Sequence, residues 1–273
     1  MATLSPHQVA AYRDDGVLFP FSVLTEKERA AGLGVIDRID AMPAETRKGL
    51  LLHKTHMVSK TLTDICRSPR ILDLVEGLIG PNILVWGANF FLKEAHSDAY
   101  VSWHQDATYW GLEPADIVTA WVAFMPSTVE SGCMRVVPGT HKDGLVEHRE
   151  TWAADNLLSR GQEIAVDVDL DKVVDVVLKP GEMSLHHVKI AHNSEPNRSN
   201  HRRIGFAIRY VAAHVKQAGG VRDKAIPVRG VDRWNYFDHE DGASGEFLPA
   251  DLERHAQSWG GTRLAPKPPA KAS

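Results

Sequence analysis

Two places in the chain carry residues that could together do metal chemistry: His104 and Asp106 stand two apart, and His192 follows far downstream. Two imidazoles and one carboxylate are the donor set of a facial triad, which holds non-haem Fe(II) on one side and leaves positions open for oxygen chemistry. Eleven residues beyond His192 comes Arg203. Its guanidinium is a rigid fork that matches a carboxylate with two parallel hydrogen bonds. A metal triad followed by a carboxylate receptor points to an oxygenase that uses Fe(II), O2 and a carboxylate-bearing co-substrate such as 2-oxoglutarate.

The residues by themselves leave rivals for two of these places. With 14 histidines in the chain, a His two residues from an acid arises easily by chance. His141, His186, His187, His201 and His214 are further candidates for the third ligand. Arg202 and Arg209 compete with Arg203. Arg209 lies an even six positions beyond Arg203, so both face the same way in an unbroken strand.

The elements that must position these groups change character along the chain. The first eighty residues read as helical. Ser5-Pro6 can cap and begin a helix ending near Gly16, and Thr25 with Glu28 forms a capping box ahead of a second. The clearest helix is capped by Ser68, starts with Pro69, carries Ile71, Leu72, Leu74, Val75, Leu78 and Ile79 on an apolar face, and ends at Gly80. From residue 82 the runs are short and β-prone: Ile83 to Trp86, Phe90 to Leu92, Ile117 to Phe124, Met134 to Val137, Ile164 to Val168, Val173 to Leu178, Met183 to Leu185 and Ile204 to Val211. Pro138-Gly139 and Pro180-Gly181 punctuate them. Helices followed by a series of short strands favour a β-sandwich or jelly roll over alternating βαβ units. On a strand, His104 and Asp106 project to one face and Gln105 to the other, and His192 can return from a neighbouring strand.

Composition limits the partners. At 273 residues, with 43% hydrophobic and 24% charged residues, the chain suits one globular domain. Within it, residues 1–80 form a helical buttress, 82–215 the β core and 216–273 a C-terminal extension whose Pro-, Lys- and Ala-rich end, Pro266 to Ser273, is expected to fray. A net charge of -4 without long single-sign runs provides no footprint for nucleic acid or an anionic membrane. Cys66 and Cys133 show no zinc or disulfide spacing, and neither a secretory leader nor a membrane span is expected, since Met1 to Pro6 lacks a basic region followed by an apolar stretch and no apolar run is long enough to cross a bilayer. A cytoplasmic protein acting on a small-molecule substrate, as a monomer or homodimer, is the expectation.

Four ordered motifs carry a resemblance: Trp103-His104-Gln105-Asp106, the segment Gly132-Cys133-Met134-Arg135-Val136-Val137-Pro138-Gly139-Thr140-His141, Gly181 to His187, and Ala191-His192-Asn193-Ser194 continuing through Pro196 to Arg203. From roughly Ser5 to Val211 the chain resembles the phytanoyl-CoA dioxygenase family of Fe(II)/2-oxoglutarate oxygenases. The resemblance implies a mainly β fold, a double-stranded β-helix (jelly roll, cupin-like) with N-terminal helices packed on the outer sheet. It implies His104, Asp106 and His192 as iron ligands, Arg203 and Ser194 as partners of the remote 2-oxoglutarate carboxylate, and Trp121 and Gln105 as cosubstrate-pocket residues. It also implies hydroxylation of a C–H bond with release of succinate and CO2. Halogenases of related fold lack the carboxylate ligand, and this chain keeps it as Asp106. Readings outside that class are a zinc-dependent hydrolase, which shares the donor set, and a non-catalytic jelly-roll binding protein. A dicarboxylate clamp of Arg203 with Ser194 is of no use to the hydrolase.

The substrate is less marked. Trp103, Tyr109, Trp110 and the cluster Trp234, Asn235, Tyr236 and Phe237 could line a pocket. His53, Lys54 and His56 could fold over its mouth and meet an anionic group.

Overall fold

The computed structural model describes residues 3–158, 160–165, 168–220 and 222–259. Ser5 and Gln8 close a capping box before α1 (Pro6–Asp15), which stops at Gly16 with φ 77°, a backbone angle that costs glycine little. Thr25 and Glu28 do the same for α2 (Glu26–Asp40). Helices α3 (Ala44–Leu52) and α4 (Lys60–Cys66) lead to α5 (Pro69–Ile79). Ser68 sits at the N-cap of α5 but caps it without a side-chain hydrogen bond; its carbonyl receives the amides of Ile71 and Leu72.

The helical reading of the first eighty residues overlooks a strand, β1 (Val17–Ser22). It is a short apolar stretch between two helices, and its pairing partner lies over 160 residues away. The next strand, β2 (Ile83–Lys93), is continuous where the sequence suggests two runs. Then come β3 (Val101–His104), α6 (Ala107–Trp110), β4 (Leu112–Glu113), β5 (Ile117–Ala123), β6 (Met134–Val137), β7 (His148–Glu150) and β8 (Gln162–Ile164). After these follow β9 (Val174–Val176), β10 (Glu182–His187), β11 (Ala191–Ser194), β12 (Arg203–Ala212), β13 (Lys216–Gln217), β14 (Lys224–Arg229), β15 (Asp238–His239) and α7 (Pro249–Trp259). The strand expected over 164–168 begins earlier, and residues 166 and 167 lie outside the described residues, as does the end at 266–273.

Seven strands form the major sheet in the order β1-β10-β5-β12-β2-β14-β15, and a smaller sheet runs β3-β11-β6-β9. Only the β14–β15 pairing in the major sheet is parallel among the described residues. Alternation divides each central strand between two environments. Val118, Ala120 and Val122 of β5 and Ile204, Phe206, Ile208 and Tyr210 of β12 pack outward with the helical residues Ile36, Leu62, Ile71 and Val75. On the other side Trp121, Ala123 and Ala207 meet Met134, Val136 and Val176 of the smaller sheet. The result is an open jelly roll with the N-terminal helices on the outer face of the major sheet, as the sequence leads one to expect. Among the described residues no helix is long and apolar enough to cross a membrane.

Candidate metal centre

His104 ends β3 and is the register partner of His192 in β11, so antiparallel pairing alone brings the two imidazoles to a centroid separation of 4.0 Å. Each ring donates its Nδ1 hydrogen to the carbonyl two residues earlier: His104 to Ser102 at 2.9 Å, His192 to Ile190 at 3.0 Å. That hydrogen bond selects the tautomer and leaves the Nε2 lone pair free for a metal. Asp106 Oδ1 lies 3.4 Å from His104 Nε2, and one donor atom from each of the three residues lies within 4.8 Å of the others.

The backbone route to this arrangement differs from strand alternation. The strand ends at His104, and Asp106 already has helical angles, φ -56° and ψ -41°, at the start of α6. A turn out of the strand aims the carboxylate. Burial opposes ionisation of Asp106, but the nearby His104 and His192 imidazoles and the charge of Arg209 outweigh it and hold the carboxyl well below the ordinary range. Burial likewise drives His192 far below the usual imidazole value. An ionised carboxylate and neutral imidazole are the forms that coordinate metals.

The triad opens into a cavity floored by the inner face of β12, where Arg203, Gly205, Ala207 and Arg209 follow one another at alternate positions. Trp121 of β5 lies across the middle of this stripe. A Cβ on Gly205 would stand 1.8 Å from the Trp121 ring, so only glycine admits the indole there. Arg203, 2% exposed, donates from Nη1 to the Gly132 carbonyl at 2.6 Å and holds its guanidinium 5.3 Å from the Trp121 ring centre. Gly132 reaches that place with φ +68°, where a Cβ would come within 2.1 Å of the Glu195 carbonyl. The Arg203 Nε finds no hydrogen-bond partner. A buried guanidinium with an unused donor suits an incoming carboxylate.

Sequence reasoning missed Lys93. It ends β2 opposite Arg203, is 1% exposed, and donates from Nζ to Ser194 Oγ at 2.7 Å and to the Glu195 carbonyl. Burial, reinforced by the Arg203 charge, pushes its ammonium down to about 6. The available signal was a lysine closing an otherwise apolar strand, but nothing local links it to Ser194 or Arg203. Arg203 and Ser194 thus line one end of the cavity, with Lys93 bonded to Ser194 behind them.

Other expected residues are distributed as follows. Ser194 and Trp121 line the cavity, but Gln105 does not. Its amide donates to the Gly144 and Lys189 carbonyls and accepts from the Val146 amide, fastening two loops to the turn that carries Asp106. His186 lines the cavity without joining the triad. His187 packs on His141, His201 meets the Pro126 carbonyl, and His214 pairs with Asp116. Arg202 turns away to Asp40 and Glu94. Trp103 stacks under Arg135, and Tyr109 against His148. Trp110 packs on Trp86 and beneath Arg209. Lys54 is paired with Asp223 at 2.9 Å, His56 is buried, and His53 packs against His255. Trp234 and Tyr236 are exposed.

Comparison with known proteins agrees with this geometry. The family model described as phytanoyl-CoA dioxygenase matches residues 2–205. A "probable alpha-ketoglutarate-dependent hypophosphite dioxygenase" of Stutzerimonas stutzeri is 32% identical over 162 residues, covering 58% of this chain and 55% of that protein. The chain spans little more than half the length of the curated relatives it matches. Among solved structures, the apo form of the non-heme monooxygenase ThoJ is similar over 92% of this chain and 94% of its own, at 34% identity and a TM-score of 0.82. The structure titled "CytC3 with Fe(II) and alpha-ketoglutarate" covers 90% of this chain and 97% of its own, at 26% identity and a TM-score of 0.66.

Proposed function

The chain belongs to the phytanoyl-CoA dioxygenase family, and from that premise we propose that it is an Fe(II)- and 2-oxoglutarate-dependent dioxygenase that hydroxylates a C–H bond of a small metabolite. The observation that carries the reading is the pairing of two features in one cavity: a His104-Asp106-His192 donor set, and Arg203 with Ser194, the latter backed by Lys93. A hydrolytic zinc site uses the first and has no role for the second. The names of similar proteins support the same class, one being an alpha-ketoglutarate-dependent dioxygenase and another a structure with Fe(II) and alpha-ketoglutarate.

In this reading His104, Asp106 and His192 hold the iron, while Arg203 and Ser194 take the remote carboxylate of 2-oxoglutarate and Lys93 adds charge behind them. Bound Fe(II) with 2-oxoglutarate and O2 supplies the oxidising chemistry, with succinate and CO2 as co-products. The chain's own work is placement. Trp121 walls the co-substrate channel, Gly205 makes room for that indole, and Gly132 fixes the direction of Arg203. Asp106 would supply the carboxylate ligand that halogenases of related fold lack, which favours hydroxylation.

The test is anaerobic addition of Fe(II) and 2-oxoglutarate to the full chain. A weak visible charge-transfer band, followed by succinate on admission of O2, is the expected result. Absence of both would remove the oxygenase reading.

Lys93 makes the co-substrate affinity pH dependent in a defined direction. In the empty clamp its ammonium titrates near 6, and an arriving carboxylate stabilises the charged form. Below that pH the lysine is charged in both states and the affinity is flat with respect to this group. Above it, binding takes up a proton and affinity falls by up to about tenfold per pH unit until the raised, bound-state value is passed. Calorimetry at pH 7.5 in buffers of different ionisation enthalpy should detect this proton uptake, and Lys93→Met should abolish it.

A further inference from the structure

The inner face of the major sheet carries a second polar group that the co-substrate clamp does not use. Arg209 in β12 is the register partner of Thr119 in β5, and Thr119 is the partner of His186 in β10. A guanidinium, a hydroxyl and an imidazole therefore lie abreast on three adjacent strands, and all three line the cavity beside the triad. Thr119 and His186 are each 2% exposed, and neither Thr119 Oγ1 nor His186 Nδ1 has a hydrogen-bond partner. Such groups are costly to bury unless something meets them.

Arg209 is held but not neutralised. Its Nη1 donates to Asn89 Oδ1, and its guanidinium stands 5.1 Å from the ring centre of Trp110, which in turn packs on Trp86. Among the described residues it makes no ion pair within hydrogen-bonding reach. Asp106 is the acid whose field it feels, and that carboxylate is claimed by the metal when the site is loaded. A metal dication and a 2-oxoglutarate dianion then cancel, Asp106 and Arg203 cancel, and the charge of Arg209 is left over. Lys93 can only add to the surplus.

We propose that Arg209, Thr119 and His186 form the anchoring subsite for the primary substrate, and that this substrate carries an oxyanion, a carboxylate or a phosphonate or phosphate group. The proposal rests on the oxygenase reading above and supplies its substrate class. The fork of Arg209 takes two oxygens, and the Thr119 hydroxyl and the His186 Nδ1 offer the remaining polar contacts. Phe91, Val101 and Met134 line the same cavity and offer apolar surface to the carbon skeleton. Anchoring the anion on the floor beside the triad would present the adjacent carbon to the triad's side of the cavity.

The test uses the full chain loaded with Mn(II) and 2-oxoglutarate under argon, titrated calorimetrically with acetate, methylphosphonate, inorganic phosphate and, as the neutral control, acetamide. At least one oxyanion should bind about tenfold or more tightly than acetamide, and Arg209→Gln should erase that advantage, with Arg209→Lys restoring only part of it. Thr119→Val, which keeps every charge and the side-chain volume, should weaken the same oxyanion about threefold to tenfold. In these variants the loss should fall on the oxyanion, while in Arg203→Gln it falls on 2-oxoglutarate. Oxyanions binding no better than acetamide would overturn the proposal. So would an Arg209→Gln variant that loses 2-oxoglutarate affinity as fully as Arg203→Gln, because Arg209 would then belong to the co-substrate. A wild-type chain that binds no 2-oxoglutarate gives a different trace, and overturns the oxygenase reading together with this one.

Discussion

Asp106→Ala should abolish 2-oxoglutarate turnover, lowering succinate formation by about three orders of magnitude or more, the equivalent of about 4 kcal/mol of barrier. The carboxylate is the single anionic donor in the His104, Asp106, His192 set. Without it two neutral imidazoles remain, which weakens the hold on a dication and removes the group that fixes the third coordination position. Asp106 sits on a turn with its side chain 14% exposed rather than in the packed core, so the variant should fold. A thermal melt close to wild type with no succinate is the expected pair of results, and succinate formation at the wild-type rate would take Asp106 out of the site.

Arg203→Gln should raise the KM for 2-oxoglutarate by about 100- to 1000-fold, since removing one partner from a buried, hydrogen-bonded charge pair costs about 2–5 kcal/mol. The guanidinium is 2% exposed and preset by the Gly132 carbonyl and the Trp121 face. Glutamine is shorter and neutral, and cannot reproduce the fork. Because the metal triad is on the other sheet, Mn(II) affinity should change little, and saturating 2-oxoglutarate should recover much of kcat. An unchanged KM would assign the co-substrate carboxylate to another group, with Arg209 the first candidate on the same face of β12.

Local chemistry was legible in the chain wherever a few neighbouring residues suffice to set the structure. Ser5 with Gln8 and Thr25 with Glu28 cap their helices because the bonds span only three residues. Short β-prone runs mark β5 and β12, since branched and aromatic side chains favour an extended backbone. The proximity of His104 and Asp106 was also local, although it comes from a turn after β3 and not from one strand face. Strand β1 escaped because its ladder is made with β10, far along the chain. Lys93 escaped for the same reason: only the β2–β12 register sets it beside Arg203 and within reach of Ser194. The family resemblance implied a pocket role for Gln105, yet its amide is taken by backbone groups of two distant loops.

The order and type of the donors, His104, Asp106, His192 and Arg203, belong to the sequence alone, because coordination chemistry and carboxylate recognition depend on which functional groups are present. Which of fourteen histidines and three neighbouring arginines meet in one cavity was decided by the tertiary structure. Antiparallel pairing between β3 and β11 joins the imidazoles, and packing of the two sheets sets the triad over a floor that carries Arg203 at one end and Arg209 at the other. The physical reason is that side-chain periodicity tells a residue which face it occupies, while the register between distant strands decides what it faces.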